Sequence, residues 1–195
     1  IYNEGENFSV GANAGLILFA SNLAMWDAVE FGLKAGQDTY KAMKYSPFPV
    51  VGAPSGMALG GGCEILLHCD AVQAHAETYM GLVEVGVGLL PGWGGCKEMI
   101  LRWMAHDQRP GGPMPAIQKA FELISLATVA RSAAEARDHL FLLPRDRITM
   151  NRDRLLADAR SRVVEMSDGY TAPTPVDAVL PGASARAALS LAVES

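Results

Sequence analysis

Cysteine is scarce and badly spaced for structural chemistry. Of 195 residues only Cys63, Cys69 and Cys96 are cysteines, an odd number with no Cys-x-x-Cys pair, so neither a disulfide framework nor a zinc site is expected. A reducing, cytoplasmic setting fits that usage. Charge is sparse too, at 19% of residues, and 16 Lys and Arg against 21 Asp and Glu leave a net charge of -5. Surfaces that track nucleic-acid phosphates concentrate Lys and Arg on one face, so no nucleic-acid partner is expected, and an anionic ligand would need local basic groups. No segment reaches the roughly 18–20 unbroken apolar residues of a membrane span, so no membrane partner is expected. The four histidines, His68, His75, His106 and His139, form no His-Glu-x-x-His array and are read as structural, with no metal site. A Gly-Lys-Ser/Thr loop is missing, and Gly86-x-Gly88-x-x-Pro91 lacks the third glycine of a dinucleotide fingerprint, which argues against nucleotide sites of either kind. The chain opens on Ile1-Tyr2-Asn3-Glu4-Gly5-Glu6, acidic where a signal peptide is basic. It is expected to be a piece cut from a longer polypeptide.

What is present suits a globular domain. Half of the residues are hydrophobic, and a chain of this length fits one medium domain. Residues 1–10 read as a strand running into the turn Gly11–Gly15. From Leu16 to Tyr45 apolar residues recur at helical spacing without proline, which predicts one or two helices. Ser46-Pro47-Phe48-Pro49 stops them, and Val50–Ala53 reads as a buried strand. A helix from Cys63 to Leu67, a strand over Asp70–His75, an extended or loop stretch over Tyr79–Val87 and a helix over Cys96–Met104 follow. Residues 107–115 form a loop. Helices are expected over Ala116–Leu126, over Ser132–Asp138 with a Ser-x-x-Glu capping signal, over Arg152–Met166 and over Ser184–Glu194. The expected organisation is an α/β core over residues 1–105 and a helical region over 106–195.

Three features carry chemistry. Gly60-Gly61-Gly62-Cys63-Glu64 opens a helix, where glycine lets backbone approach a ligand and free N–H groups meet developing negative charge. The bland alternative is a tight turn whose Glu64 opposes the helix dipole. Glu84 is a carboxylate among apolar and glycine neighbours, where a raised pKa would suit proton transfer; alone, it also reads as a solvated loop residue. Phe8-Ser9-Val10-Gly11-Ala12-Asn13 is a strand end whose glycine could free another N–H.

Together these segments, with Pro49–Leu59, Cys69-Asp70 and Gly88-Leu89-Leu90-Pro91-Gly92-Trp93-Gly94-Gly95, resemble the crotonase (enoyl-CoA hydratase/isomerase) superfamily over residues 5–105. Residues 145–159 resemble a bacterial subgroup in which a 3-hydroxyacyl-CoA dehydrogenase region shares the polypeptide. The resemblance implies an α/β, crotonase-like (ClpP/crotonase) fold with a ββα-type core, truncated at its N-terminus and followed by a helical C-terminal region. It implies an oxyanion hole from the N–H groups of Val10 and Gly61, catalytic carboxylates at Glu64 and Glu84, and substrate contacts at Gly11, Ala12, Asn13, Gly60, Gly62, Pro91 and Gly92. The implied substrate is an acyl-CoA, with coenzyme A part of the substrate, no cofactor held by this chain, and NAD only in a fused dehydrogenase region. A trimer-type homo-oligomer is implied as well. Lys34, Lys41, Lys97 and Arg102 are candidates, by position alone, for CoA phosphate contacts. The family's earlier strand-helix-strand segment is absent, Asn13 stands where many relatives carry Asp, and Leu82-Val83 precede Glu84 where many have a polar residue and Pro. Hydration is the leading reading, because both glutamates are present. Isomerisation, an inactive structural or oligomerisation module, and nucleotide binding are the rivals.

Overall fold

The computed structural model describes residues 1–108 and 110–194, the last for its backbone alone. Residue 109 of the expected loop lies outside the described residues. The 14–45 segment forms two helices, α1 (Ala14–Asn22) and α2 (Trp26–Lys44). Asn13 caps α1 by accepting the Gly15 N–H at 3.0 Å, the role Asn favours at a helix start. Two short strands, β1 (Val51–Gly52) and β2 (Met57–Leu59), lead into α3 (Gly61–Leu67), and β3 (Ala71–His75) and β4 (Tyr79–Gly81) repeat that step. A 3-10 turn over Glu84–Val87 connects to α4 (Gly95–Met104) and α5 (Met114–Ser125). Then come β5 (Val129–Ala130), α6 (Ala133–Asp138), β6 (Arg147–Thr149), α7 (Leu155–Ser167) and α8 (Ala183–Glu194). The capping signal at α6 is real: Ser132 Oγ accepts the Glu135 N–H, and Glu135 returns a carboxylate oxygen to the Arg131 N–H.

The strands sort into two sheets. β1 and β6 flank β3, all parallel, while β4 lies between parallel β2 and antiparallel β5. Residues 1–10 do not form the continuous strand expected of them. Tyr2 bridges Ala53 beside β1, and Ser9 bridges Ala58 in β2. The stretch between turns out because it must cross from one sheet to the other. The chain thus spirals: Tyr2, β1 and β3 stack on one side while Ser9, β2 and β4 stack on the other, each turn of the spiral adding one rung to each sheet.

The region beyond residue 105 is not purely helical, since it supplies β5 to one sheet and β6 to the other. These strands are two and three residues long, too short for an alternating pattern to show in the sequence. Between the layers lies a core that includes Leu66, Met80, Leu82, Met99, Phe141 and Leu142. Each such side chain contributes about 1.5–3 kcal/mol through burial. A second cluster seats α7 on β1 and β3 through Leu155, Ala159, Val51 and Ala71. By contrast α1 buries none of its residues, and Leu16, Leu18 and Phe19 are exposed. No described helix is long and apolar enough to cross a membrane.

Candidate active site

The site grows from the turn that starts α3. Gly60 has φ 56° and ψ -126°, a conformation open in practice only to glycine. Its N–H donates to Gly81 O at 2.9 Å, which ties the turn to β4. Gly11 also has positive φ, and a Cβ on it would stand 2.9 Å from Gly61 N. The Val10–Gly11 backbone therefore lies directly against the helix start. No described residue engages the Val10 or Gly61 N–H. Two unengaged N–H groups beside one another, one at a helix start, are suited to a developing oxyanion. Gly62 serves packing: a Cβ there would fall 2.3 Å from Ser9 O.

Glu64 follows on the first turn of α3 and is 1% exposed. Its Oε1 accepts two backbone donors, Trp93 N–H at 2.9 Å and Gly95 N–H at 2.8 Å. Burial pushes its carboxyl above the ordinary range, and these two bonds pull it back. Glu84 enters from the 3-10 turn after β4, with its Oε1 3.4 Å from where a Cβ on Gly60 would sit. Its Oε2 is buried without a partner. Burial, with a smaller contribution from the charge on Glu64, pushes its pKa up to about 7. The two carboxylates predicted from sequence thus flank the same glycine turn in unlike environments. That contrast is how one site separates an acid from a base.

Several residues at the site carried no predicted role. Tyr40 of α2 donates its hydroxyl to Gly61 O at 3.0 Å. The Trp93 ring lies on Gly61, where a Cβ would approach it to 2.6 Å, and meets Tyr40 edge-on with centroids 5.4 Å apart. Gln37 donates to Gly92 O at 2.9 Å, so α2 is tied to the Pro91–Gly95 loop as well. The Leu-Pro-Gly-x-Gly-Gly string marked that loop, but nothing in it signalled that its amides serve Glu64. Pro91 is buried beside Gly92, while Ala12 and Asn13 are exposed at the start of α1.

The candidate phosphate contacts separate. Arg102 is corrected: it is buried and donates to the carbonyls of Leu140, Phe141 and Leu67 at 2.9–3.1 Å, because it closes three carbonyls that the core would otherwise leave unpaired. Lys34 pairs with Asp38 and Lys97 with Glu98. Lys41 is exposed. A cavity of about 740 Å³ lies elsewhere, lined by Lys44, His68, Glu98, Arg102 and Arg145 among others, and touches neither carboxylate. The pair of carboxylates and the two amides mark the chemistry more specifically than that volume does. Among the described residues no cluster of His, Cys, Asp and Glu could hold a metal ion.

Comparison with known proteins identifies the family and the fold. The model of the family described as enoyl-CoA hydratase/isomerase matches residues 6–108. The chain is 44% identical over all its 195 residues to a Bacillus subtilis protein named "Probable 3-hydroxyacyl-CoA dehydrogenase", of which it spans 24%. It is 38% identical over 94 residues, 48% of its length, to the crotonyl-CoA hydratase of Syntrophomonas wolfei, spanning 35% of that protein. The fold matches that of an enoyl-CoA hydratase from Polaromonas sp. JS666 with a TM-score of 0.67 and 21% identity, over 85% of this chain and 58% of that one. The chain therefore spans about a third or less of the curated relatives named here.

Proposed function

From its membership of the enoyl-CoA hydratase/isomerase family, we propose that the chain is the hydratase region of a fatty-acid β-oxidation polypeptide, adding water to a 2-enoyl-CoA. The observation that carries this reading is the pair of carboxylates, buried Glu64 and half-buried Glu84, flanking one glycine turn beside two unengaged amides.

The thioester oxygen sits between the N–H groups of Val10 and Gly61. Glu64, oriented by Trp93 and Gly95, takes a proton from water as its oxygen attacks the β-carbon. The electron pair of the double bond moves onto the thioester, and the two amides stabilise the enolate that forms. Preorganised donors of this kind contribute about 3–4 kcal/mol each. Glu84, whose pKa of about 7 leaves it substantially protonated near neutrality, delivers a proton to the α-carbon. Exchange with solvent returns both carboxyls to their starting states. The sum is one water added, with no redox change. Coenzyme A enters only as part of the substrate.

The name of the Bacillus subtilis relative supports a 3-hydroxyacyl-CoA dehydrogenase region on the same polypeptide, and NAD would belong to that region. The exposed Leu16, Phe19 and Phe31 of α1 and α2 favour an assembled, trimer-type state. A cytoplasmic location completes the proposal. Crotonyl-CoA supplied to the complete gene product tests it, through loss of the enoyl-thioester absorbance. Double-bond isomerisation of a 3-enoyl-CoA without hydration would replace it with the isomerase reading.

A further inference from the structure

Glu64 is held from behind by groups that take no part in the chemistry above. His68 caps α3 at its C-terminal end, is 2% exposed, and places Nδ1 2.7 Å from Glu64 O. Its ring fills the turn before α4 so closely that a Cβ on Gly94 would stand 2.9 Å from it. Gly94 lies between the two residues whose amides hold Glu64 Oε1. Nε2 of His68 is 3.6 Å from Glu98 Oε1. Glu98, 3% exposed on α4, pairs with Lys44 at the end of α2 and with Lys97. The two ammonium groups offset the cost of burying this carboxylate.

Lys44 is also the last of three anchors on one face of α2. Gln37 reaches Gly92 O, Tyr40 reaches Gly61 O and Lys44 reaches Glu98, at the i, i+3, i+7 spacing that shares a helix face. The remaining surface of α2 and all of α1 are largely exposed, so α2 is joined to the rest of the molecule mainly along the strip that borders the site.

We propose that Lys44, Glu98 and His68 are positioning residues that keep the Gly94 turn in register with α3, so that the Trp93 and Gly95 amides stay on Glu64, and that they make this register depend on the seating of α2. The proposal rests on the hydratase reading only for the role of Glu64. The groups facing His68 are Glu64 from α3, Tyr40 and Lys44 from α2, and Lys97 and Glu98 from α4. Burial favours the neutral ring. With a carbonyl at Nδ1, that nitrogen carries the proton, and Nε2 meets Glu98 as a packing contact rather than a hydrogen bond, with Lys44 and Lys97 neutralising the carboxylate.

The test compares His68→Leu, His68→Asn, Lys44→Met and the double variant His68→Leu/Lys44→Met in the complete gene product. One readout is the titration of the Glu64 carboxyl by ¹³C NMR, assigned by its loss in Glu64→Gln. The other is kcat and KM for crotonyl-CoA. In His68→Leu the Glu64 midpoint rises and kcat falls about 10–100-fold, the scale of a small misplacement at a reacting group, while KM stays within about threefold. His68→Asn keeps a donor toward Glu64 O and recovers most of both. Lys44→Met shifts both readouts in the same direction, and the double variant is no worse than His68→Leu, as coupled residues require. An unshifted Glu64 midpoint in Lys44→Met, a His68→Asn midpoint shifted as far as that of His68→Leu, or single effects that simply add, overturns the proposal. If His68→Leu does not fold, Lys44→Met and His68→Asn decide. A wild-type protein that hydrates nothing defeats the hydratase reading alone, because the Glu64 titration still judges the positioning.

Discussion

Oε1 of Glu64 accepts the Gly95 N–H at 2.8 Å across 31 positions of sequence, whereas Oε2 of Glu84, in the same site, is buried without a partner. Burial raises both carboxyls; donors from the Trp93–Gly95 loop draw Glu64 back, while Glu84 is drawn back only by the backbone of its own turn and still stands at about 7. Within the hydration reading, Glu64 takes the part of the base and Glu84, with its pKa at about 7, the part of the acid.

The pH dependence follows. Glu84 must hold its proton to deliver it, so kcat/KM for hydration falls as pH rises through about 7. The same shift acts on stability. The folded protein holds the Glu84 proton more tightly than the unfolded chain does, so this contribution is fully present below the ordinary carboxylate pKa and is lost as pH rises through about 7. Glu84→Gln therefore gains stability relative to wild type between pH 5 and pH 8. Denaturant midpoints across that range, with the rate profile, check both signs.

Close approach at Gly62 predicts a stability effect that spares a nearby control. A methyl there collides with Ser9 O, while a methyl at Gly86 meets nothing within 4 Å. Gly62→Ala is expected to cost about 1–3 kcal/mol, the usual penalty of overpacking, and to lower Tm. Gly86→Ala leaves Tm unchanged or slightly higher. Thermal unfolding of the pair distinguishes a packing role for Gly62 from a purely substrate-facing one.

Arg102 is expected to behave as a core residue. Arg102→Met strands three carbonyls, each worth about 1–3 kcal/mol when left unpaired in the interior. Urea unfolding then shows a large loss of stability. KM for crotonyl-CoA, measured on the folded fraction, stays near wild type, where a phosphate contact would have raised it.

Much of the site was legible because its chemistry sits in local strings. The glycine turn, Glu64 on the first turn of the helix after it, and the loop at residues 90–95 are contiguous signals, and the helices over 14–45, 95–104 and 114–125 have long apolar periods. What escaped was set by distant partners. β5 and β6 are too short to carry a pattern and exist because β4 and β3 offer them edges. Residues 1–10 alternate like a strand but must bridge two sheets, so only Tyr2 and Ser9 pair. Tyr40 looks like any apolar helix residue until α2 is laid across Gly61, and His68 gains a role only when α4 brings Glu98 beside it. Arg102 reads from position alone as a candidate phosphate contact because its three carbonyl partners lie 35–39 positions away.

The most direct measurement is the rate of crotonyl-CoA hydration by the complete gene product, set beside Glu64→Gln and Glu84→Gln in the same background. The two-glutamate mechanism predicts an active wild type and a loss of about 10²–10⁴-fold in kcat for each substitution, the range of a positioned acid or base, with folded structure retained by circular dichroism. An active wild type that keeps its rate when either glutamate is replaced would contradict it.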